Sequence, residues 1–399
     1  MALDAPPARS PHLAWVLAAL ALGGFTIGTT EFASMSLLPY FAADLGVNEP
    51  TAGHAISAYA LGVVVGAPVL AVMAAKLPRR IILVVLMVLF ALGNGLSGLA
   101  PNFHSLVIFR FIAGFPHGAY FGVAALVAAS LVPQNRRAQA MAMVMMGLTV
   151  ATIIGVPFAT AIGQWAGWRW GFAIVAILAL STAAAVYILA PRAPADANAH
   201  PLRELNALRN RKVWLTLAIG AIGFGGLFGV YTYLASTLLE VTHAAPSTLP
   251  MALAVFGLGM TIGTLICARL ADWAPMPGAA IVLIWSAVWL AVYPFTVHSL
   301  WTLLPTIFMI GCGGGLGAML QTRLMDVAGE AQTLAAALNH SAFNTANALG
   351  PFLAGLAISA GYGWASSGWV GCGLALAGLV VWGLAVLDDR ATARAVTAG

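Results

Sequence analysis

Glu31 stands where a carboxylate is hard to keep. It lies in GTTEFASMSLLP, Gly28 to Pro39, inside an apolar run that begins near Leu13, and of the 12 acidic residues it alone falls well within such a run. An ionisable group at membrane depth costs about 2.5 to 3.5 kcal/mol on insertion scales, so it is kept mostly where it works. Two uses fit: a group that takes up and releases a proton, or a structural acceptor bonded to a neighbouring helix. Arg110, in RFIAGFPHG, is the cation at comparable depth and the natural electrostatic partner for Glu31. Its other use is a fixed clamp on a backbone carbonyl. His117 follows seven residues on; imidazole titrates near neutral pH, or simply hydrogen-bonds across helices. Arg110, Gly114, His117 and Gly118 recur at helical spacing, a stripe expected to face the first helix, with glycines that permit close approach.

A second group carries amides. His340, Asn344 and Asn347 stand at i, i+4 and i+7 and share one helix face, with Asn339 at its edge. Amides both donate and accept, which suits a hydroxylated or amide-bearing small molecule, or bonds between helices. The aromatics Phe25, Phe32, Tyr59, Tyr120, Phe121, Phe224, Phe228, Tyr231 and Tyr233 are candidates for the wall of an apolar cavity. The candidate set for contacting a small molecule is therefore Glu31, His117, Tyr120, Tyr231, Asn339, His340, Asn344 and Asn347. No metal or cofactor is expected. His12, His54, His104, His200, His243 and His298 fall at the ends of apolar runs or between them, and Cys267, Cys312 and Cys372 show no pairing or metal spacing. A phosphate-binding loop and a nucleophile beside a base are likewise not found, so neither ATP-driven work nor enzymatic activity is expected.

The elements that must position these residues follow from composition. The 399 residues are 61% hydrophobic and 7% charged, against about 25% charged in a soluble domain. Apolar stretches long enough to span a bilayer, about 20 residues each, recur along the whole length. They predict helices near 13–38, 50–75, 80–99, 104–131, 137–163, 169–190, 213–240, 247–269, 278–297, 300–322, 332–359 and 366–387. The fold class is thus all-α and polytopic, with twelve spans; the short alternating segments of a β-barrel are missing. The first run is too long for a cleaved signal and is read as an anchor. All but two of the 17 basic residues, Arg110 and Arg169, fall on one side if the N-terminus is cytoplasmic, which places both termini there. The net charge of +5 therefore reports topology and lipid contact, through Arg136, Arg137 and the arginines near 203–211, rather than nucleic acid.

The stretch from Pro191 to Lys212 is too polar and basic to enter lipid and divides the chain into 1–190, a linker 191–212, and 213–399. The halves echo each other, GVPFATAIG from Gly155 against GPFLAGLA from Gly350. Six-helix repeats are the mark of a transporter with a midplane site at the repeat interface. Gly155 with Pro157, and Gly350 with Pro351, are expected to bend helices that move, or to be fixed kinks.

Several motifs resemble those of the major facilitator superfamily: the LAD of Leu270 to Asp272, the basic pair Arg79 and Arg80, RFIAGFPHG from Arg110 and GVP from Gly155. More narrowly, GTTEF…LLP, PHGAYFGVAA and AFNTANALG look like the AraJ-type branch of the twelve-helix drug:proton antiporters, with sugar, nucleoside and chloramphenicol exporters among its relatives. The resemblance covers nearly the whole chain. It implies a monomeric transporter of the bacterial inner membrane that exports a small solute in exchange for protons by alternating access; by their depth and chemistry, Glu31, Arg110 and His117 are the residues expected to handle the proton. Import and uniport on the same fold stay open. It also implies gating roles for Arg79, Arg80 and Asp272. Ala75 stands where the family carries an acid, and Met276 and Pro277 stand where the second half would carry a basic pair.

Overall fold

The computed structural model describes residues 11–74, 77–133, 136–192, 209–328 and 332–398. The central part of the linker, 193–208, lies outside them, as does Lys76. The described chain is built of helices, and eleven of them are long and apolar enough to cross a membrane.

The first six spans are α1 (Pro11–Ser36), α2 (Glu49–Ala74), α3 (Arg79–Gly98), α4 (Phe103–Ser130), α5 (Gln139–Ala166) and α6 (Trp168–Leu189). The second six are α7 (Arg211–Glu240), α8 (Leu249–Trp273), α9 (Pro275–Thr296), α10 (Leu300–Val327), α11 (Gln332–Ala357) and α12 (Ser366–Ala398). Asn339, His340, Asn344 and Asn347 make α11 less apolar than the rest. It is nevertheless enclosed, packing along α2, α7 and α10. The predicted first span, 13–38, ends sooner: the chain turns at Leu37 into a separate short helix, Leu38–Asp44, with proline at its start.

Local chemistry explains the helix ends and breaks. Asn102 and Ser105 form a reciprocal capping box at the start of α4, and Asn210 caps α7. Inside α4 the helix is interrupted at Phe115–Pro116, because proline has no N–H to continue the ladder. Pro157 has the same effect in α5, where the turn before it, Ala151–Gly155, widens to a π-turn. In α10 the run Gly313–Gly315 tightens into a 3-10 turn. Pro351, by contrast, sits within α11 without a break.

The two halves repeat a tight seam. A β-carbon on Gly62, Gly66 or Gly114 would collide with a carbonyl oxygen across the α2–α4 contact, at Phe111, Phe115 and Tyr59 respectively. The same holds for Gly259, Gly263 and Gly311 across α8–α10, against Phe308, Cys312 and Phe256. Backbones lie so close there that only glycine fits.

The halves meet along α2 against α11 and α5 against α8. Glu49 accepts from Ser236, and Gln164 Nε2 donates to Pro246 O at 2.9 Å and to Tyr40 at 2.9 Å. Deeper in, Ser57 Oγ donates to Ala348 O at 3.0 Å. The first two contacts lie at the end that carries Asp44. There Arg169 pairs with Asp44, and Trp168 also donates to it; together they hold that carboxyl below its usual range. At the opposite end the ion pairs Arg211–Asp388 (3.3 Å), Lys212–Asp389 (3.0 Å) and Arg323–Asp389 (2.5 Å) stay within the second half.

Candidate functional site: a buried carboxylate, arginine and amide row

Arg110 is 1% exposed, and its guanidinium is held by neutral oxygens. Nη1 donates to Thr30 Oγ1 at 3.5 Å and to Asn94 Oδ1 at 3.3 Å; Nη2 donates to Ser34 Oγ at 3.3 Å. Thr30 itself donates to Asn94 Oδ1 at 2.6 Å, and Asn94 Nδ2 to Phe90 O at 2.9 Å, so the acceptor is fixed before the arginine reaches it. The guanidinium lies over the rings of Tyr59, 4.2 Å from its centroid, and Phe172, at 5.2 Å. A planar, delocalised cation suits this mixture of faces and oxygens.

Glu31 is 6% exposed and forms no ion pair with Arg110, although each lies within the other's electrostatic reach. Its described bond is instead to α11: Asn347 Nδ2 donates to Glu31 Oε1 at 3.1 Å, joining residues 316 apart in sequence and belonging to different halves. The expected carboxylate–arginine contact is thus replaced by a carboxylate–amide contact. The reason lies in the cradle: Thr30, Ser34 and Asn94 already satisfy the guanidinium edge nearest α1.

His117 Nδ1 meets the Tyr59 hydroxyl at 2.9 Å. Its ring is 6.4 Å from that of His340, which stacks on Phe121 with centroids 5.2 Å apart and planes 3° apart. Helices α2, α4 and α11 therefore bring Tyr59, His117, Phe121 and His340 together. The glycine stripe does not face α1, as its spacing suggested. Gly114 and Gly118 press on α2, at Tyr59 and at Ala67, and only the long side chain of Arg110 reaches past α2 to α1. The break at Phe115–Pro116 also resets the helical phase that the spacing assumed.

The other sequence-predicted residues are distributed more widely. Tyr120 stands apart, with its hydroxyl donating to Leu20 O at 2.9 Å. Tyr231 is buried with a hydroxyl that lacks a partner; its ring meets Phe32 and Phe256 edge-on at 5.2 and 4.8 Å. Asn339 Nδ2 donates to Gln321 Oε1 at 2.8 Å, and Asn344 Nδ2 to His340 O at 3.0 Å. Arg79 opens α3, and Arg80 lies 4.5 Å over the Tyr187 ring. Asp272 is on α8, with its side chain outside the described set. Gly155 backs onto Thr29 and Phe25 of α1, and Gly350 onto Gly225 and Gly229 of α7, so equivalent glycines hold equivalent helix pairs. Pro351 O accepts from Tyr233 at 3.1 Å. Sequence reasoning missed Asn94, Thr30 and Ser34. Asn94 carried a signal, being the one amide in RRIILVVLMVLFALGNGLSG.

These helices, seams and buried charges define a polytopic membrane protein of repeated six-helix halves. The family model of the Major Facilitator Superfamily matches residues 20–330 and 230–399. The chain belongs to that superfamily. It is 39% identical over 352 residues to the inner membrane transport protein YdhP of Escherichia coli K12, covering 88% of this chain and 90% of that one. It is 34% identical over 346 residues to a chloramphenicol resistance protein of Streptomyces lividans, covering 84% and 87%. Among solved structures, a point mutant of the nucleoside transporter NupG superposes with a TM-score of 0.74 at 13% identity over 93% of this chain and 99% of that one. At that identity the likeness is one of fold.

Proposed function

We infer that the chain is a proton-coupled exporter of small amphiphilic or polar solutes, working by alternating access between the halves 1–190 and 213–399 across the linker 191–212. The observation that carries this reading is the bond from Asn347 to Glu31. An ionised carboxylate accepts a charge-assisted hydrogen bond, and a protonated one accepts a weaker bond. Because the donor sits on the other half, a proton on Glu31 alters what holds the halves together at mid-membrane. Arg110 keeps its place meanwhile, since its partners are neutral, and its field acts on Glu31 throughout. His117, bonded to the Tyr59 hydroxyl beneath the guanidinium, is the next group for the proton. One charge crossing 100 mV is worth about 2.3 kcal/mol, or roughly forty-fold accumulation. A single carboxylate is energetically sufficient.

Export is supported by the relative named for chloramphenicol resistance, and placement in a bacterial inner membrane by the relative named for it. With both termini cytoplasmic, the contacts at Glu49–Ser236 and Gln164–Pro246 seal the outer end, and the ion pairs of the inner end leave the halves free to part. Arg79, Arg80 and Asp272 act at the inner gate; Gly155, Pro157, Gly350 and Pro351 shape the helices that rock. The solute lies near Glu31, His117, Tyr231 and the α11 amides, in a protein acting as a monomer with its basic residues on anionic lipid.

The test is survival of an efflux-deficient bacterium expressing wild type or Glu31→Gln at matched membrane levels, on a panel of drugs, sugars and nucleosides at two external pH values. Wild type should protect, more so in acid, and Glu31→Gln should not. Equal protection by both proteins would sink proton coupling through Glu31; protection indifferent to pH would point to uniport, and sensitisation to import.

A further inference from the structure

The α11 face that meets Glu31 has a feature the proton does not account for. Ser341 Oγ, Asn344 Oδ1 and Asn347 Oδ1 are buried without a hydrogen-bond partner. They recur every third residue, about 4.5 Å of helix rise apart, along one broad face. Buried polar atoms are nearly always paired, so three in a row on one helix point to a partner that is not part of the chain.

The polarity of this row is fixed by chemistry. Asn347 turns its amide nitrogen to the carboxylate of Glu31, and Asn344 turns its own to the carbonyl of His340. With Glu31 ionised, both of those partners accept, so neither amide gains by flipping. Each nitrogen has one of its two N–H groups engaged, while both amide oxygens have no partner at all. Glu31 adds another acceptor beside them, and the Ser341 hydroxyl accepts as readily as it donates. The strip therefore asks for donors.

Resting on the exporter reading above, we propose that Ser341, Asn344 and Asn347 form the solute-recognition strip, selecting neutral solutes that present two or more hydrogen-bond donors, hydroxyl or amide N–H, and rejecting equally sized solutes that present only acceptors. A solute hydroxyl on Asn344 Oδ1 and a second on Asn347 Oδ1 would satisfy atoms that the folded protein leaves bare. A solute of ether or ester oxygens would set acceptor against acceptor.

The experiment is ligand-induced thermal stabilisation of the purified full chain in detergent at one pH. The probes are chloramphenicol and isopropyl thiogalactoside, each against an analogue whose hydroxyls are replaced by fluorine, which keeps size and removes the donor. The hydroxylated probes should stabilise wild type and the fluorinated ones should bind at least tenfold more weakly. Asn344→Leu, which removes a bare acceptor, should fold with an unchanged or higher midpoint yet lose at least tenfold in affinity for the hydroxylated probes; Ser341→Ala should act the same way more mildly. Equal binding of the fluorinated analogues, full binding by Asn344→Leu, or no stabilisation of wild type by either hydroxylated probe would each overturn the proposal. No proton gradient enters this measurement. Failure of the Glu31→Gln survival test thus removes proton coupling through Glu31 while leaving donor selectivity standing, and the reverse outcome separates them equally well.

Discussion

Replacing Asn347 by leucine should loosen the two halves measurably. The substitution keeps roughly the same volume and deletes the bond to Glu31 Oε1. A hydrogen bond to a charged group contributes about 1.5–3 kcal/mol when buried, and solvent does little to screen it here, since Glu31 is 6% exposed. Losing it leaves the carboxylate without its donor in the state described, so the loss falls on this state and spares one in which the halves have parted. At 1.4 kcal/mol per decade the equilibrium should shift roughly ten- to 150-fold toward the parted state. Spin labels at Ala43 and Ser247, exposed on opposite halves at the Asp44 end, report that motion. The labelled protein first needs Cys267, Cys312 and Cys372 replaced. Pulsed dipolar spectroscopy should then show a longer inter-label distance gaining population in Asn347→Leu. In a Glu31→Leu background the same substitution should add nothing, because its partner is already gone. Distance distributions that match in wild type and Asn347→Leu would refute the reasoning, as would an undiminished effect in the Glu31→Leu background.

Two further outcomes follow from the packing and the ion pairs. Gly114→Ala and Gly311→Ala should each lower the unfolding midpoint in detergent, by overpacking worth about 1–3 kcal/mol or more, whereas Gly122→Ala, whose β-carbon meets nothing within 4 Å, should not; a midpoint for Gly114→Ala equal to that of Gly122→Ala contradicts the tight seam. Asp44→Asn should lower the midpoint modestly at neutral pH. The Asp44 carboxyl is depressed by Arg169 and Trp168, so its contribution is present above its ordinary value of 3.8 and is lost as the pH falls through the lower folded value. The difference from wild type should close in that acidic range and shrink in high salt; a gap that persists unchanged into acid would show that something other than charge is lost.

The spans were legible because water and lipid sort residues by polarity along the chain, and the depth of Glu31 and Arg110 could be read from the same pattern. What each touches could not. Arg110 was matched to Glu31 on charge alone, yet Thr30, Ser34 and Asn94 satisfy its edge, and hydroxyls and amides are too common in spans to announce a cradle. Asn347 was legible as a polar face of α11, but its bond to Glu31 depends on how two halves dock, which no periodicity encodes. Tyr120 marks the same limit: its place near His117 in sequence was legible, and the bond from its hydroxyl to the Leu20 carbonyl was not. The glycines of α4 were rightly read as permitting close approach and wrongly assigned to α1, since spacing gives a face without saying which neighbour it meets.

Glycine against carbonyl also occurs across the halves, and there it has a different meaning. Gly257 of α8 rests on the Thr152 carbonyl in the π-turn of α5, while the Thr152 hydroxyl is already engaged with Thr149 O of its own helix at 2.9 Å. Within a half, such a contact welds two helices. Between halves it is a joint with nothing tied across it: parting it forfeits dispersion and breaks no hydrogen bond, so this part of the boundary opens cheaply and recloses without having to find a register.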